Sequence, residues 1–122
     1  MDLKGKKALI VGASRGIGEA IASAFVREGA DVVISGRNIE TLQEVKKKIE
    51  NETNKVFCLV WDIKDVSRAG EIMNRASELL GGLDIVVNNA GVIDREGFLN
   101  VREEAWDTVM DINVKGLTQR PL

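Results

Sequence analysis

The sequence predicts an α/β fold in which helices cover both faces of a parallel sheet. Short apolar segments alternate with segments of helical periodicity along the chain. The apolar segments are continuous, which is typical of strands buried on both faces. A glycine-rich loop also joins the first apolar segment to the first helix. Right-handed connections then give a doubly wound sheet of about four strands in the order 3-2-1-4, with a binding crevice between strands 1 and 4.

The first half of the chain supplies two strands and two helices. A strand at Lys7–Val11 leads into a helix over Gly16–Glu28, and Gly29 is positioned to end that helix in a left-handed conformation. The second strand is predicted at Asp31–Ser35. Asn38 can then cap a second helix. The apolar stripe of that helix consists of Leu42, Val45 and Ile49.

The second half repeats the pattern. The third strand is predicted at Val56–Val60, and either Asp65 or Ser67 opens a third helix, which ends at Gly81 and Gly82. A fourth strand follows at Leu83–Val87. Asn100 and Glu103 then form a capping pair for a last helix, which we expect to carry Trp106, Val109, Met110 and Asn113.

Composition indicates one ordinary globular domain. The chain has 122 residues, 44% hydrophobic and 30% charged, with a net charge of −2. This balance gives no argument for a nucleic-acid or membrane partner. No apolar run approaches the roughly 18 residues that span a bilayer, and no signal-peptide core follows the first charges, so we expect a cytoplasmic protein. The single cysteine, Cys58, lies in an apolar run and is expected to be a buried, unreactive thiol.

The glycine loop predicts a phosphate site. Gly12, Gly16 and Gly18 have the spacing G-x-x-x-G-x-G between a strand and a helix. Glycines let a phosphate approach the backbone N–H groups at the helix N-terminus, where the macrodipole favours negative charge. We therefore expect a dinucleotide pyrophosphate here, with a purely structural turn as the alternative.

The end of the second strand predicts which dinucleotide is bound. In this fold a carboxylate at this position favours NAD, whereas an arginine accommodates the additional phosphate of NADP. The chain has Arg37 there and no carboxylate, and Arg15 in the glycine loop adds a second positive charge. We expect NADP, with NAD as the alternative. The other interpretation is that both arginines are simply solvated.

Two further segments fall at the carboxyl edge of the sheet. Asp62 follows the third strand and can accept a hydrogen bond from an adenine amino group or cap the next loop. The run Asn88 to Gly91 closes the fourth strand. Alone it is a turn signal, but at this edge its amides and small residues indicate a ribose or nicotinamide site.

Together these motifs resemble the short-chain dehydrogenase/reductases, a family with a Rossmann fold. The resemblance covers Lys4 to about Gly116 and implies NAD(P)-dependent interconversion of alcohols and carbonyls. It implies that the dinucleotide phosphates lie beside Gly12, Ser14, Arg15, Gly16, Ile17 and Gly18. It places Arg37 at the 2′-phosphate, Asp62 and Ile63 at the adenine, and Asn88, Ala90 and Gly91 on the ribose and nicotinamide side. Asn113 matches the catalytic asparagine of the family, which supports a proton relay through water.

The chain departs from the family pattern in one respect. The family has a catalytic Ser and a Tyr-x-x-x-Lys after the position of Asn113, and this chain contains no tyrosine. We therefore expect residues 1–122 to form a single, incomplete dinucleotide-binding domain, the cofactor-binding half of a reductase of small carbonyls or alcohols, inactive alone and without a metal. A truncated, non-catalytic nucleotide-binding module is the alternative. A methyltransferase fits less well, because it usually needs an acid where Arg37 stands.

The same departure predicts an oligomer. If the sheet ended at the fourth strand, residues 83–88 would form an apolar edge without proline or lysine. Such an edge recruits another strand. We therefore expect a homodimer through the 83–88 edge, with a monomer whose last helix covers that edge as the alternative.

Overall fold

A parallel sheet with the predicted doubly wound order forms the centre of the protein. The computed structural model describes residues 2–14, 16–89 and 110–113. Its strands, in chain order, are β1 Lys7–Val11, β2 Asp31–Gly36, β3 Val56–Val60, β4 Ile85–Asn88 and β5 Met110–Asn113. They lie side by side in the order β3-β2-β1-β4-β5, and each neighbouring pair is parallel. The predicted order 3-2-1-4 is confirmed, and a fifth strand extends it.

The helices connect these strands over both faces. Their bounds are α1 Gly16–Arg27, α2 Ile39–Ile49 and α3 Ala69–Leu80. Gly29 has a φ of +101°, in agreement with the predicted left-handed residue after α1. The cap of α2 is also as predicted, because Asn38 Oδ1 accepts a hydrogen bond from Thr41 N at 3.1 Å.

The start of α3 differs from the prediction. A 3₁₀ turn at Val66–Arg68 precedes the helix, and Arg68 at the N-cap makes no capping hydrogen bond with its side chain. Asp65 Oδ1 instead accepts a hydrogen bond from Ser67 Oγ at 2.6 Å. The two candidate caps are therefore paired with each other one turn before the helix.

The alternation of side chains along the buried strands creates two apolar cores. In β1, Leu9 and Val11 point to the face covered by α3, while Ala8 and Ile10 point to the face covered by α1 and α2. All four are buried. This arrangement explains why the strands lack polar alternation: both faces of the sheet are covered.

Residues 110–113 are a strand, which corrects the prediction of a helix there. β5 pairs in parallel with β4, with Met110 opposite Ile85 and Asn113 opposite Asn88. The physical reason is that β4 would otherwise leave a row of unpaired backbone N–H and C=O groups. The rest of the predicted last helix, including Asn100, Glu103 and Trp106, lies outside the described residues.

The pairing of β4 with β5 also removes the basis for the predicted dimer. The 83–88 segment is bordered by β1 on one side and β5 on the other. It is therefore an interior strand of the sheet. The homodimer through this segment required an open edge that the structure does not have.

None of the helices in the described ranges is both long and apolar enough to cross a bilayer.

Candidate functional site

A cleft of about 570 Å³ opens at the carboxyl ends of β1, β2 and β3. It is lined by the glycine loop, by the ends of these strands and by one residue after β4. Its lining residues are Val11, Gly12, Ser14, Gly16, Ile17, Gly36, Arg37, Trp61, Asp62, Ile63, Lys64 and Asn89. The position agrees with the rule that ligands of open α/β sheets bind outside the carboxyl ends of the strands.

The glycine loop is attached to the strands on both sides of β1. The backbone N–H groups of Gly12 and Ala13 both donate to Ser35 O, at 2.9 and 3.1 Å. On the other side, Asn89 N donates to Val11 O at 3.0 Å, and Asn89 Nδ2 donates to Gly12 O at 3.2 Å. The loop is therefore held in place by β2 and by the end of β4.

Gly18 packs the first turn of α1 directly against this loop. A Cβ added at Gly18 would lie 2.0 Å from Gly12 O and 2.8 Å from Asn89 Nδ2. No side chain fits in that space, so the helix and the loop can meet only at glycine. Gly16 differs, because its φ is +61° and a Cβ there would meet nothing within 4 Å. Gly16 thus faces the open cleft, while Gly18 supports the loop from behind.

Arg37 lines the cleft from the end of β2. It follows the last residue of β2 and is exposed at the cleft. Its guanidinium makes no ion pair with any residue in the part of the chain that the structure describes. The positive charge is therefore available to a ligand.

Asp62 and Ile63 lie beside it, after β3. Asp62 Oδ1 accepts a hydrogen bond from Lys64 N at 3.0 Å, so this carboxylate caps its own loop. It also lines the cleft, and both predicted roles are compatible with this geometry. Ile63 is half-buried and packs against the core under α3.

Asn89 presents an unsatisfied acceptor. The residue is 8% exposed, and its Oδ1 has no hydrogen-bond partner among the described residues, although its Nδ2 is bonded. A buried carbonyl oxygen without a partner costs about 1–3 kcal/mol. Asn89 is also one of the residues that line the cleft.

Most of the described residues predicted for the site meet in one cleft. These are Gly12, Ser14, Gly16, Ile17, Arg37, Asp62 and Ile63. Gly18 and Asn88 do not line it: Gly18 packs behind the loop, and Asn88 is a buried residue of β4. Arg15, Ala90 and Gly91 lie outside the described residues. Asn113 is at the carboxyl end of β5, opposite Asn88, instead of on a helix.

Sequence reasoning did not single out Asn89, Trp61 and Lys64 as site residues. Asn89 belongs to the run Asn88 to Gly91, which the sequence does single out. Adjacent side chains of an extended chain point to opposite sides, so the sequence alone does not show which of the two asparagines contacts the glycine loop. Trp61 resembles the last apolar residue of a strand and Lys64 a surface cation. The sequence feature that points to a site role for Trp61 and Lys64 is their position within two residues of Asp62.

Cys58 lies away from the cleft. The thiol is half-buried, and burial raises its pKa above the usual value. This agrees with an unreactive thiol, because the thiolate is the nucleophilic form. Within the described ranges no three carboxylate, thiol or imidazole side chains come together as a metal site.

Comparison with known proteins identifies the family. The family model for short chain dehydrogenases matches residues 6–120. An uncharacterized oxidoreductase of Staphylococcus aureus (strain USA300) is 39% identical over 114 residues, which are 93% of this chain and 48% of the relative. The chain thus spans about half the length of that relative.

Solved structures agree in fold and sequence. A short chain dehydrogenase from Burkholderia cenocepacia J2315, in complex with NADP, matches with a TM-score of 0.70 and 36% identity over 86% of this chain and 48% of its own. A dehydrogenase/reductase from Sinorhizobium meliloti 1021 matches with a TM-score of 0.69 and 39% identity, over 75% of this chain and 36% of its own. With the family model covering nearly all its residues, the chain belongs to the short-chain dehydrogenase family.

Proposed function

We propose that this chain is the dinucleotide-binding unit of an NADP-dependent oxidoreductase that interconverts small alcohols and carbonyls. One observation carries the proposal: the cleft joins a glycine loop at a helix N-terminus to a free arginine at the end of β2. Residues 1–122 act in it as a single binding domain. The NADP-bound relative from Burkholderia cenocepacia supports the choice of cofactor.

The residues present fit a dinucleotide. Because Gly18 has no Cβ, the first turn of α1 packs directly against the loop, and its residues Gly16 and Ile17 line the cleft. A helix N-terminus in that position favours a phosphate. Asn89 Oδ1 offers a buried acceptor that lacks a partner among the described residues. The cleft also combines apolar Ile17 and Ile63 with charged Arg37, as a molecule with both aromatic and phosphate groups requires.

Each group has a proposed task. Gly12, Ser14, Arg15, Gly16 and Ile17 hold the phosphates, Gly18 supports their loop from behind, and Arg37 binds the 2′-phosphate. Asp62 and Ile63 contact the adenine. Ala90 and Gly91 border the ribose and nicotinamide, next to Asn88, which is itself buried in β4. A nicotinamide bound there would supply hydride exchange with the substrate carbon. The family resemblance assigns to Asn113 the support of a proton relay through water.

The alternative is that the 122-residue chain binds nucleotide without catalysis. It has neither tyrosine nor histidine, and the family resemblance assigns proton donation to a tyrosine. In this alternative the cleft binds the nucleotide and the chain performs no chemistry.

Titration of NADP⁺ and NAD⁺ against the purified chain by calorimetry tests the proposal. We expect tighter binding of NADP⁺, and about a tenfold loss of its affinity in Arg37→Gln, because arginine–phosphate bonds are charge-assisted. Binding of NAD⁺ should change little.

Arg75→Gln is the matched control, because it removes the same charge from an exposed residue of α3 outside the cleft. Equal affinity for the two dinucleotides, or an equal loss in both arginine variants, would contradict the assignment of NADP.

A further inference from the structure

Lys64 lines the same cleft as Arg37, although the two follow different strands. The ends of these strands are neighbours in the sheet, since Gly36 of β2 is opposite Val60 of β3. Arg37 comes one residue after Gly36, and Lys64 comes four residues after Val60. The fold therefore brings both residues to the same cleft from neighbouring strand ends.

The backbone at Lys64 is held in position by hydrogen bonds. Lys64 N donates to Asp62 Oδ1 at 3.0 Å, and Asp65 N donates to Asp62 O at 2.8 Å. Trp61, which is 2% exposed, donates from Nε1 to Asp65 O at 3.0 Å and from its backbone N–H to Gly36 O at 2.8 Å. The turn that carries Lys64 is thus fixed to the strand end that carries Arg37.

The charges around the cleft favour an anion there. Among the described lining residues the charged ones are Arg37, Asp62 and Lys64, which sum to +1. One oxygen of Asp62 already accepts the hydrogen bond from Lys64 N. The ammonium of Lys64 makes no ion pair with any other described residue. Arg37 and Lys64, which have no ion-pair partner among the described residues, therefore line the cleft together with Asp62, one oxygen of which already accepts a hydrogen bond.

We propose that Lys64 is a second specificity-determining residue of the cleft, which together with Arg37 favours a dinucleotide carrying a phosphate on its adenosine ribose. The proposal deepens the NADP assignment and depends on it. Arg37 supplies the directed, bidentate contact, and Lys64 adds a point charge from the neighbouring strand end. A second cation strengthens discrimination because NAD offers no charge at that place.

The test is calorimetric titration of NADP⁺ and NAD⁺ against the wild-type chain and Lys64→Gln at low ionic strength. We expect Lys64→Gln to lose about fivefold in NADP⁺ affinity, the upper range for an exposed ion pair, with NAD⁺ affinity unchanged. The loss should shrink as salt is added. Lys64→Arg, which keeps the charge, should retain most of the preference.

Lys47→Gln serves as the control, because Lys47 is an exposed residue of α2 that does not line the cleft. An equal loss for both dinucleotides in Lys64→Gln, or an unchanged ratio of affinities, overturns the role of Lys64 while leaving the NADP assignment intact. If the wild-type chain does not prefer NADP⁺, the proposed function fails, and the role of Lys64 fails with it.

Discussion

Gly18 lies where helix α1, the glycine loop and the end of β4 come into contact. The requirement for glycine there is steric, because a Cβ would be 2.0 Å from the carbonyl oxygen of Gly12. At Gly16 the requirement is conformational, because φ is +61° and the space beside it is open. Two glycines in the same motif therefore resist substitution for different physical reasons.

Alanine substitutions should separate these reasons. Gly16→Ala places a side chain in the left-handed region and should cost about 1–2 kcal/mol of unfolding free energy. Gly18→Ala must move the loop or the helix, so we expect a loss of more than about 3 kcal/mol, or failure to fold. Urea unfolding followed by circular dichroism measures both. A Gly18→Ala variant as stable as Gly16→Ala would show that the loop yields easily.

At the scale of residues, most of the residues that line the cleft could be predicted from the sequence. Gly12, Arg37 and Asp62 meet there because each follows a parallel strand, and the carboxyl ends of such strands share an edge. Asn89 was harder to distinguish from Asn88, since a shift of one residue along a strand reverses which face a side chain points to.

At the scale of elements, the connection between β3 and α3 depends on the indole of Trp61. Its Nε1 donates to Asp65 O, and its backbone N–H reaches Gly36 O at the end of β2. The side chain is buried, so this hydrogen bond is shielded from water. One residue thereby ties a loop of the cleft to a neighbouring strand.

Trp61→Phe should loosen that connection. Phenylalanine is smaller than the indole and has no N–H group, so Asp65 O keeps only its hydrogen bond from Arg68 N. We expect a loss of about 1–2 kcal/mol in unfolding free energy. Because Lys64 and Asp62 belong to the same turn, dinucleotide affinity should fall as well. Thermal unfolding with and without NADP⁺ measures both effects.

Ser67→Ala is the matched control for this variant. It removes an exposed hydrogen bond from the same connection, that of Ser67 Oγ to Asp65 Oδ1. We expect its stability to change by less than about 0.5 kcal/mol. Equal effects of the two substitutions would mean that Trp61 Nε1 adds nothing beyond what a surface bond provides.

The strands β1 to β4 were predictable because each is a short apolar run between helix signals, and each agrees with its prediction to within two residues. The strand β5 was not. From Asn100 onward the sequence combines a capping pair with apolar residues at helical spacing, which predicts a helix. A strand of four residues is too short to show a clear alternation of apolar and polar residues. Backbone pairing with β4, a tertiary effect, decides the structure there.

At the scale of the whole molecule, the sheet with its two cores presents a binding cleft, but the chain has no tyrosine to donate a proton. General acid catalysis contributes about 10²–10⁴-fold to rate. We therefore expect the purified 122-residue chain to leave NADPH unoxidised in the presence of ketones, followed at 340 nm, while a full-length short-chain dehydrogenase run alongside shows turnover. NADPH oxidation proportional to chain concentration, at an enzyme-like rate, would contradict this expectation.

The attachment of β1 to β4 has a consequence for how the protein is made. At one end of β1, Lys7 N donates to Asp84 Oδ2, and at the other, Gly12 O accepts from Asn89 Nδ2. Both bonds join residues 77 positions apart. A ribosome must therefore synthesise the whole of β2, β3 and their helices before β1 acquires its second neighbour. Closing so long a loop is slow compared with forming helices, so β1, although made first, completes its hydrogen bonds late.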